Sequence, residues 1–417
     1  MAQLAHTHKT AATAAATVMP VLLGISLVHF LNDSMQAVVA ASYPILQKSL
    51  LLTYTQVGLI LFMLNMTSSV IQPFVGYYTD RRPSPYMLPL GMIMSLIGLV
   101  GLALAPNFPL LLLAVMFVGF GSAAFHPEGS RVVFLASGPR RGLSQAIYQV
   151  GGNLGSAMAP LILIFVFSPL GQIGALWTTA LAALALLVLL AIVPWYRRNL
   201  AAWAEIKAAK RAQKGAGETS LLALEASHPR ARFAMTLIFL LIFARTWYQT
   251  FIASFYQFQM RDQYGITIEQ AQIPLFLFLV AGVLGTLMGG LLADRFGLKR
   301  TIIFSLLGSA PLSLLLPHLP LWAVYPAITL LGLVVMSGFS VMVVYAQHLM
   351  PAKVGMASGL TTGLAFGLGA IGGVALGGLA DGFGLGAVML GVSFLPLFGV
   401  LGFLLPSDRS PEFYANR

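Results

Sequence analysis

The sequence predicts an all-α integral membrane protein with twelve transmembrane helices in two six-helix bundles and both termini in the cytoplasm. Three observations predict it. The 417 residues are 58% hydrophobic and only 8% charged, with a mean hydropathy of +0.87, far outside the soluble globular range. Apolar stretches of spanning length fall into two sets of six around a basic break, and the two sets repeat one another. At about 20 residues per span, this length holds roughly a dozen spans and no sizeable soluble catalytic domain.

The first set lies at about 19–46, 55–79, 86–105, 109–136, 143–167 and 171–195. The second falls at about 233–259, 270–293, 301–317, 321–350, 356–380 and 385–405. The bundles therefore run 19–195 and 233–405, flanked by tails at 1–18 and 406–417. Between them, 196–232 carries Arg197, Arg198, Lys207, Lys210, Arg211, Lys214, Arg230 and Arg232 around the small polar run Gly215–Ser220, and reads as a partly helical cytoplasmic linker. The N-terminal stretch, with His6, His8 and Lys9 before an Ala/Thr run, lacks the compact apolar core of a signal peptide and reads as a retained cytoplasmic tail.

Charge placement sets the orientation. The 23 Lys+Arg against 12 Asp+Glu give +11. With both ends inside, Arg81, Arg82, Arg140, Arg141, Arg295, Lys299, Arg300, Lys353 and the linker are cytoplasmic, and only Lys48 and Arg261 fall outside. The net charge is thus topology: it implies a lipid bilayer and no nucleic-acid partner. The chain has no Cys, which excludes disulfides, thiol catalysis and thiolate metal sites.

The repeat appears at an offset of about 213 residues. It sets Tyr43 on Tyr256, Gly119 on Gly332 and Arg140–Leu143 on Lys353–Met356, and with one further residue Asp80 on Asp294. Repetition of this kind places a substrate site near the midplane, between two bundles that rock about it, and supplies both halves of the pathway in one chain, so a monomer suffices.

After the second span stands Gly76-Tyr-Tyr-Thr-Asp80-Arg81-Arg82, and after the eighth Gly290-Leu-Leu-Ala-Asp294-Arg295-Phe-Gly297-Leu-Lys299-Arg300. Both resemble the G-x-x-x-D-R-x-G-R-[KR] loop signature of the major facilitator superfamily, in the two places where that superfamily carries it. The first copy has Pro83 where the pattern has Gly, and the second departs at Leu298. The physics suits a gate: Gly76 and Gly290 permit close helix approach, Asp80 and Asp294 can sit at a helix N-terminus, and Arg81 and Arg295 anchor the cytoplasmic face. In span five, Gly151-Gly152-Asn153-Leu-Gly155-Ser-Ala-Met-Ala159-Pro160 resembles the antiporter motif of drug exporters, with Ala159 in place of its second Gly. Gly155 and Ala159 allow tight packing and Pro160 can kink the helix. The Arg that exporters carry three residues before Gly119 is absent, and Met116 stands there.

A narrower resemblance covers nearly the whole chain. Leu27-Val-His29-Phe-Leu-Asn32-Asp33, Gly119-Phe-Gly-Ser122-Ala-Ala-Phe-His126-Pro127-Glu128-Gly-Ser-Arg131, Gln149-Val-Gly-Gly-Asn153 and Val344-Tyr345-Ala-Gln347 are similar to the fosmidomycin resistance proteins. That resemblance implies export of a phosphonate antibiotic from the bacterial cytoplasm, driven by the proton gradient.

Ionisable residues at membrane depth are costly and by default mark a functional path. His29, Asn32 and Asp33 share one side of span one, near the midplane. A carboxylate beside an imidazole there can exchange protons as the protein opens to either side, so Asp33 and His29 are the candidate proton site; the alternative is a permanently hydrogen-bonded packing site. In span four, Glu128 and Arg131 are three apart and can pair, as a coupling pair or as a buried ion pair holding the helix to its neighbours. His126 and Glu128 point in different directions, which weakens a metal site; convergence of His29, Asp33, His126 and Glu128 on a divalent ion is the alternative, and no metal is assigned. Arg245 is the only fixed positive charge deep in the second half, with Tyr248 on its face. It offers an anion a bidentate guanidinium unless it is paired internally. Gln149 and Asn153, four apart in span five, and Tyr345 in span ten are expected to line the cavity with Arg245, Asn32 and His126.

The chain has no G-x-x-x-x-G-K-[ST] loop and no stripe suited to a cofactor, so neither ATP drive nor a cofactor is expected. The reading is a proton-coupled exporter of a small anionic compound in the bacterial inner membrane. An importing proton symporter of the same build is the nearest alternative, and an intramembrane enzyme using His126 and Glu128 the distant one.

Overall fold

The computed structural model describes residues 17–81, 84–138, 141–213, 229–349 and 354–407. All regular structure among the described residues is helical. Most of both tails and the middle of the linker, 214–228, lie outside them, as do Arg82, Pro83, Arg140 and Lys353.

The first half runs α1 (Met19–Leu50), α2 (Tyr54–Asn65), a π-helical turn at Met66–Val70, α3 (Gln72–Arg81), α4 (Met87–Leu104), α5 (Phe108–Ala136), α6 (Arg141–Ser156), α7 (Ala159–Ile162), a second π turn at Leu163–Phe167, α8 (Ser168–Leu170) and α9 (Ala175–Gln213). The second half runs α10 (Pro229–Ser254), α11 (Tyr256–Tyr264), α12 (Ile268–Phe296), α13 (Leu298–Leu307), α14 (Ala310–Leu315), α15 (Leu321–Met336), α16 (Phe339–Leu349), α17 (Val354–Phe383), α18 (Leu385–Ser393) and a 3-10 helix at Leu395–Leu404. Ten stretches among the described residues are long and apolar enough to cross a membrane. One of them, Ile147–Leu200, covers two of the expected spans without a break long enough to divide it. The expected span at 55–79 is not among the ten: the helix bends at Ile71, between the π turn and α3, and several residues of α3 lie outside those whose side chains are described. The helix also does not stop at Trp195; α9 carries on into the linker as far as Gln213.

The internal repeat is visible in the helix caps. Thr53 accepts from the Gln56 N–H at 3.2 Å while Gln56 accepts from the Thr53 N–H at 3.0 Å. Thr267 and Gln270 form the same reciprocal box at 3.3 and 3.0 Å, so α2 and α12 start identically in the two halves. Gly119 and Gly332 also play one role: a side chain on Gly119 would strike Thr67, and one on Gly332 the Phe278 carbonyl.

The helices alternate in direction between two ends. Among the described residues, the linker end carries 137–138, 197–213, Pro229 and Gly297; the far end carries 51–53, 105–107, 170–174, 265–267, 319–320 and Gly384. One continuous apolar core joins the halves toward the far end, where Tyr43, Leu46 and Val57 belong to the same cluster as Phe255, Phe258 and Leu376. At the linker end the second half keeps a separate core built on Ile238, Ile242, Ile302, Val341 and Leu405. Among the described residues, the buried apolar core shared by the two halves lies toward the far end.

Candidate functional site

The deepest polar cluster lies where α1, α5 and α6 meet. Helical spacing puts His29, Asn32 and Asp33 on one face of α1, and His126 reaches them from α5 just before Pro127, whose missing N–H loosens the helix there. His29 Nε2 is 3.4 Å from Asp33 Oδ2, and His126 Nε2 is 3.7 Å from Asp33 Oδ1. Asp33 Oδ1 also accepts from Asn32 at 2.9 Å and Gln36 at 3.3 Å, and Asn32 reaches Ser122 Oγ at 3.5 Å.

The tautomer of His29 follows from its other nitrogen. Nδ1 stands 2.8 Å from the Tyr148 carbonyl, which can only accept, so Nδ1 carries the hydrogen and Nε2 turns its lone pair toward Asp33. A lone pair and a carboxylate oxygen at this distance repel unless a cation lies between them. The geometry of the cluster thus favours a positive charge between the imidazole and the carboxylate. His29 is buried, while the Asp33 and His126 side chains are 15% and 25% exposed, so the cluster opens on their side.

Helix α6 closes the other side with small residues. Gly151 packs on the Ser26 carbonyl, Gly155 on the Phe30 carbonyl, and a Cβ on Gly152 would stand 2.5 Å from His29 Nε2 and 2.7 Å from Asp33 Oδ2. Tyr148, one turn earlier, stacks on His29 with ring centroids 4.0 Å apart. The span-five motif and the span-one charges are therefore one structural unit. Beyond Gly155 the helix breaks, and Ala159 and Pro160, both buried, open α7.

Glu128 and Arg131 are engaged elsewhere. Arg131 Nη1 lies 2.5 Å from Glu128 Oε1 and 3.4 Å from the Thr79 carbonyl, and Tyr196 donates to Glu128 Oε2. This buried network ties α5 to α3, within the first loop signature, and to α9. The four-residue metal grouping does not form. His29, Asp33 and His126 keep ligand-capable atoms within 4.8 Å of one another, and Glu128 is held by Arg131 and Tyr196.

In the second half Arg245 is buried on α10. Its Nε donates to the Val335 carbonyl at 3.3 Å and its Nη2 to Met336 Sδ at 3.0 Å, and the guanidinium stands 4.8 Å over the Phe339 ring. No carboxylate among the described residues lies within ion-pair distance of it. Soft and neutral partners leave its charge uncompensated, so the environment favours an anion. Gln149 and Asn153 share an exposed face of α6. Tyr248 is fully buried beside the core of α10, and Tyr345 directs its hydroxyl to the Pro406 carbonyl at 2.8 Å, at the linker end. The structure thus gathers His29, Asn32, Asp33 and His126, and sets Arg245, Tyr248 and Tyr345 apart from them in the other half.

The two loop signatures both lie at the linker end. Gly76, Asp80 and Arg81 fall on α3, with side chains outside the described set. Asp294 and Arg295 are exposed, Arg295 lies 5.3 Å over Phe296, and a Cβ on Gly290 would meet nothing within 4 Å. Lys299 binds the Phe403 and Leu405 carbonyls at 2.8 and 2.5 Å, anchoring α13 to the last helix.

The family model of the Major Facilitator Superfamily matches residues 25–260 and 237–415. The chain is a member of this superfamily. It is 52% identical over 402 residues to an uncharacterized MFS-type transporter, YfnC, of Bacillus subtilis, and 41% identical over 404 residues to the fosmidomycin resistance protein of Escherichia coli, with 96% of both partners covered in each case. Among solved structures it is similar to a bacterial homolog of the lysosomal transporter Spinster, inward-facing and occupied, at TM-score 0.74 and 17% identity over 92% of this chain and 96% of that one. It is also similar to the nucleoside transporter NupG at TM-score 0.71 and 16% identity over 92% and 98%. The protein is a multi-pass membrane transporter of the major facilitator type, close to a fosmidomycin resistance protein, and its family and fold are not those of enzymes.

Within this major facilitator fold, four residues of the site were not singled out from sequence. Tyr148 and Gly152 lie inside or beside the quoted span-five motif, so the motif marked the place without naming the side chains that matter. Gln36 follows Asp33 by three, a spacing that signals a shared helix face. Tyr196, the partner of Glu128, lies 68 residues away in sequence, and no local pattern announces it.

Proposed function

We propose that the protein exports a small anionic compound of the phosphonate class from the cytoplasm in exchange for protons, by alternating access of two six-helix bundles in a bacterial inner membrane. The linker end and both termini face the cytoplasm, and one chain carries the whole pathway without metal or cofactor. The observation that carries the reading is the Asp33 carboxylate held between the Nε2 atoms of His29 and His126 at 3.4 and 3.7 Å, a geometry that needs a positive charge and is sealed by the small residues of α6.

In this reading Asp33 and His29 take up the proton from the far side. Arg245, a buried cation with no carboxylate partner among the described residues, attracts the anion, and Asn32, His126, Gln149, Asn153, Tyr248 and Tyr345 complete the polar lining as the halves rearrange. Glu128 and Arg131 transmit the state of α5 to the loop signature through the Thr79 carbonyl. The 41% identity to a fosmidomycin resistance protein supports a phosphonate cargo, and the spatial union of the span-five motif with Asp33 supports antiport.

The test is uptake of labelled fosmidomycin into inverted vesicles under an imposed proton gradient, for the parent, Asp33→Asn and Arg245→Ala. The expected result is gradient-driven uptake by the parent and its loss in both variants. Uptake that survives both substitutions overturns the site, and absence of uptake by folded, inserted parent overturns the cargo or the direction.

A further inference from the structure

The far end of the molecule carries a third copy of the signature turn. Gly377-Gly-Leu-Ala-Asp381-Gly-Phe-Gly384-Leu385 at the end of α17 matches Gly290-Leu-Leu-Ala-Asp294-Arg-Phe-Gly297-Leu298 at the end of α12, with the same Gly-to-Asp spacing and the same A-D-x-F-G-L core. The backbones agree as well: Gly297 and Gly384 both turn through positive φ, 96° and 81°, a conformation that glycine adopts without steric cost. The difference is chemical. Arg295 of the linker-end copy is replaced by Gly382, so the far-end copy keeps the carboxylate and loses the cation.

Asp381 spends that carboxylate on the other half of the molecule. Its Oδ1 accepts from the Tyr54 N–H at 2.8 Å, and its Oδ2 accepts from the Thr55 N–H at 2.8 Å and the Thr55 hydroxyl at 2.5 Å. With Thr53 taking the Gln56 N–H, the first three N–H groups of α2 are satisfied, two of them across the interface. Close backbone approach supports the contact: a Cβ on Gly377 would stand 2.4 Å from the Tyr54 carbonyl oxygen, and one on Gly58 2.1 Å from the Gly373 carbonyl oxygen.

A second contact stands at the pseudo-symmetric position. Ser168 Oγ donates to Glu269 Oε1 at 2.5 Å. Asp381 lies 213 residues after Ser168, and Glu269 lies 214 after Thr55, which is the internal repeat of the chain. In one place the end of α17 meets the start of α2, in the other the short α8 meets the start of α12, with both carboxylates in the second half and both hydroxyls in the first.

We propose that Asp381–Thr55 and Glu269–Ser168 are twin latches of a far-end gate, and that they hold the halves together while the linker end stands open. The proposal rests on the alternating-access part of the functional reading and on neither its cargo nor its direction. Each latch must open once per cycle, and a few hydrogen bonds, those of Asp381 made to the N-terminus of α2 and that of Glu269 to the Ser168 hydroxyl, bias the gate without freezing it.

The absence of Cys makes the test direct. Spin labels on Ile173→Cys and Trp322→Cys, exposed far-end positions in different halves, report the gate by pulsed electron resonance in detergent. The parent is expected to show mainly the short-distance population. Asp381→Ala should raise the long-distance to short-distance ratio roughly fivefold, by the usual effect of losing a helix cap, and Asp381→Ala with Glu269→Ala should raise it further. Thr55→Val with Ser168→Ala, which leaves the backbone bonds to Asp381, should shift it in the same direction by less and serves if the acidic double variant does not fold. A distance distribution unchanged in the folded double variants overturns the latches. Absence of fosmidomycin uptake by the parent, with the distance shift intact in the variants, would instead count against the functional reading and leave the latches standing.

Discussion

Tyr148 both stacks on His29, at 4.0 Å between ring centroids, and holds its Nδ1 through its own backbone carbonyl at 2.8 Å. One residue thus sets the plane and the tautomer of the imidazole that faces Asp33. Ring orientation at this site is a property of α6, so substitutions on α6 should act on α1 chemistry without touching a charge.

Gly152 is the sharpest case. Valine there would place atoms between His29 and Asp33, where even a Cβ comes within 2.5 and 2.7 Å of them. Gly152→Val is expected to cut gradient-driven uptake at least tenfold, an effect of displaced charges on the order of 1.4 kcal/mol or more. Size-exclusion chromatography should show normal insertion and folding.

Asp33→Asn keeps the shape of the cluster and removes its charge. Gradient-driven uptake should vanish while exchange of labelled for unlabelled cargo, which needs no net proton movement, persists. Equal loss of both activities would place Asp33 in cargo binding.

Glu128 and Arg131 form a buried pair, so removing Glu128 takes from Arg131 the carboxylate that stands 2.5 Å from it. Glu128→Gln is expected to destabilise the protein by about 3 kcal/mol and to lower the melting temperature in detergent. The double change Glu128→Gln with Arg131→Met should recover most of that loss. If stability recovers and uptake does not, the pair has a coupling role beyond packing.

Arg245→Lys retains the charge and loses the fork. Its ammonium cannot reproduce both the contact with the Val335 carbonyl and bidentate anion binding. The KM for an anionic cargo should rise about tenfold with kcat less affected, and Arg245→Ala should abolish saturation in initial-rate measurements.

Much of this was legible in the sequence because membrane physics is simple. Charge at depth is rare, so His29, Asp33, Glu128, Arg131 and Arg245 stood out by position alone, and helical spacing correctly separated His126 from Glu128. Spacing also exposed the pairing of Glu128 with Arg131, but not the third member, Tyr196, which arrives through tertiary packing of α9. The apolar runs located the helices, while the π turn at Met66–Val70 and the run-on of α9 past Trp195 depend on local packing that hydropathy does not encode. Arg245, Tyr248 and Tyr345 share polar character but not a location: the hydroxyl of Tyr345 satisfies the Pro406 carbonyl, a contact set by how the last helix docks.

The network of Glu128, Arg131 and Tyr196 has an electrical meaning. Its opposite charges sit 2.5 Å apart within a single bundle, so when that bundle tilts they travel together and sense no net work from the membrane potential. A field of 100 mV does about 2.3 kcal/mol of work on an unpaired charge carried across it. Among the described residues this leaves the Asp33 cluster and Arg245, one in each half, as the buried charges on which voltage can act, and a current recorded on cargo binding is expected to report these sites and stay silent about the ion pair.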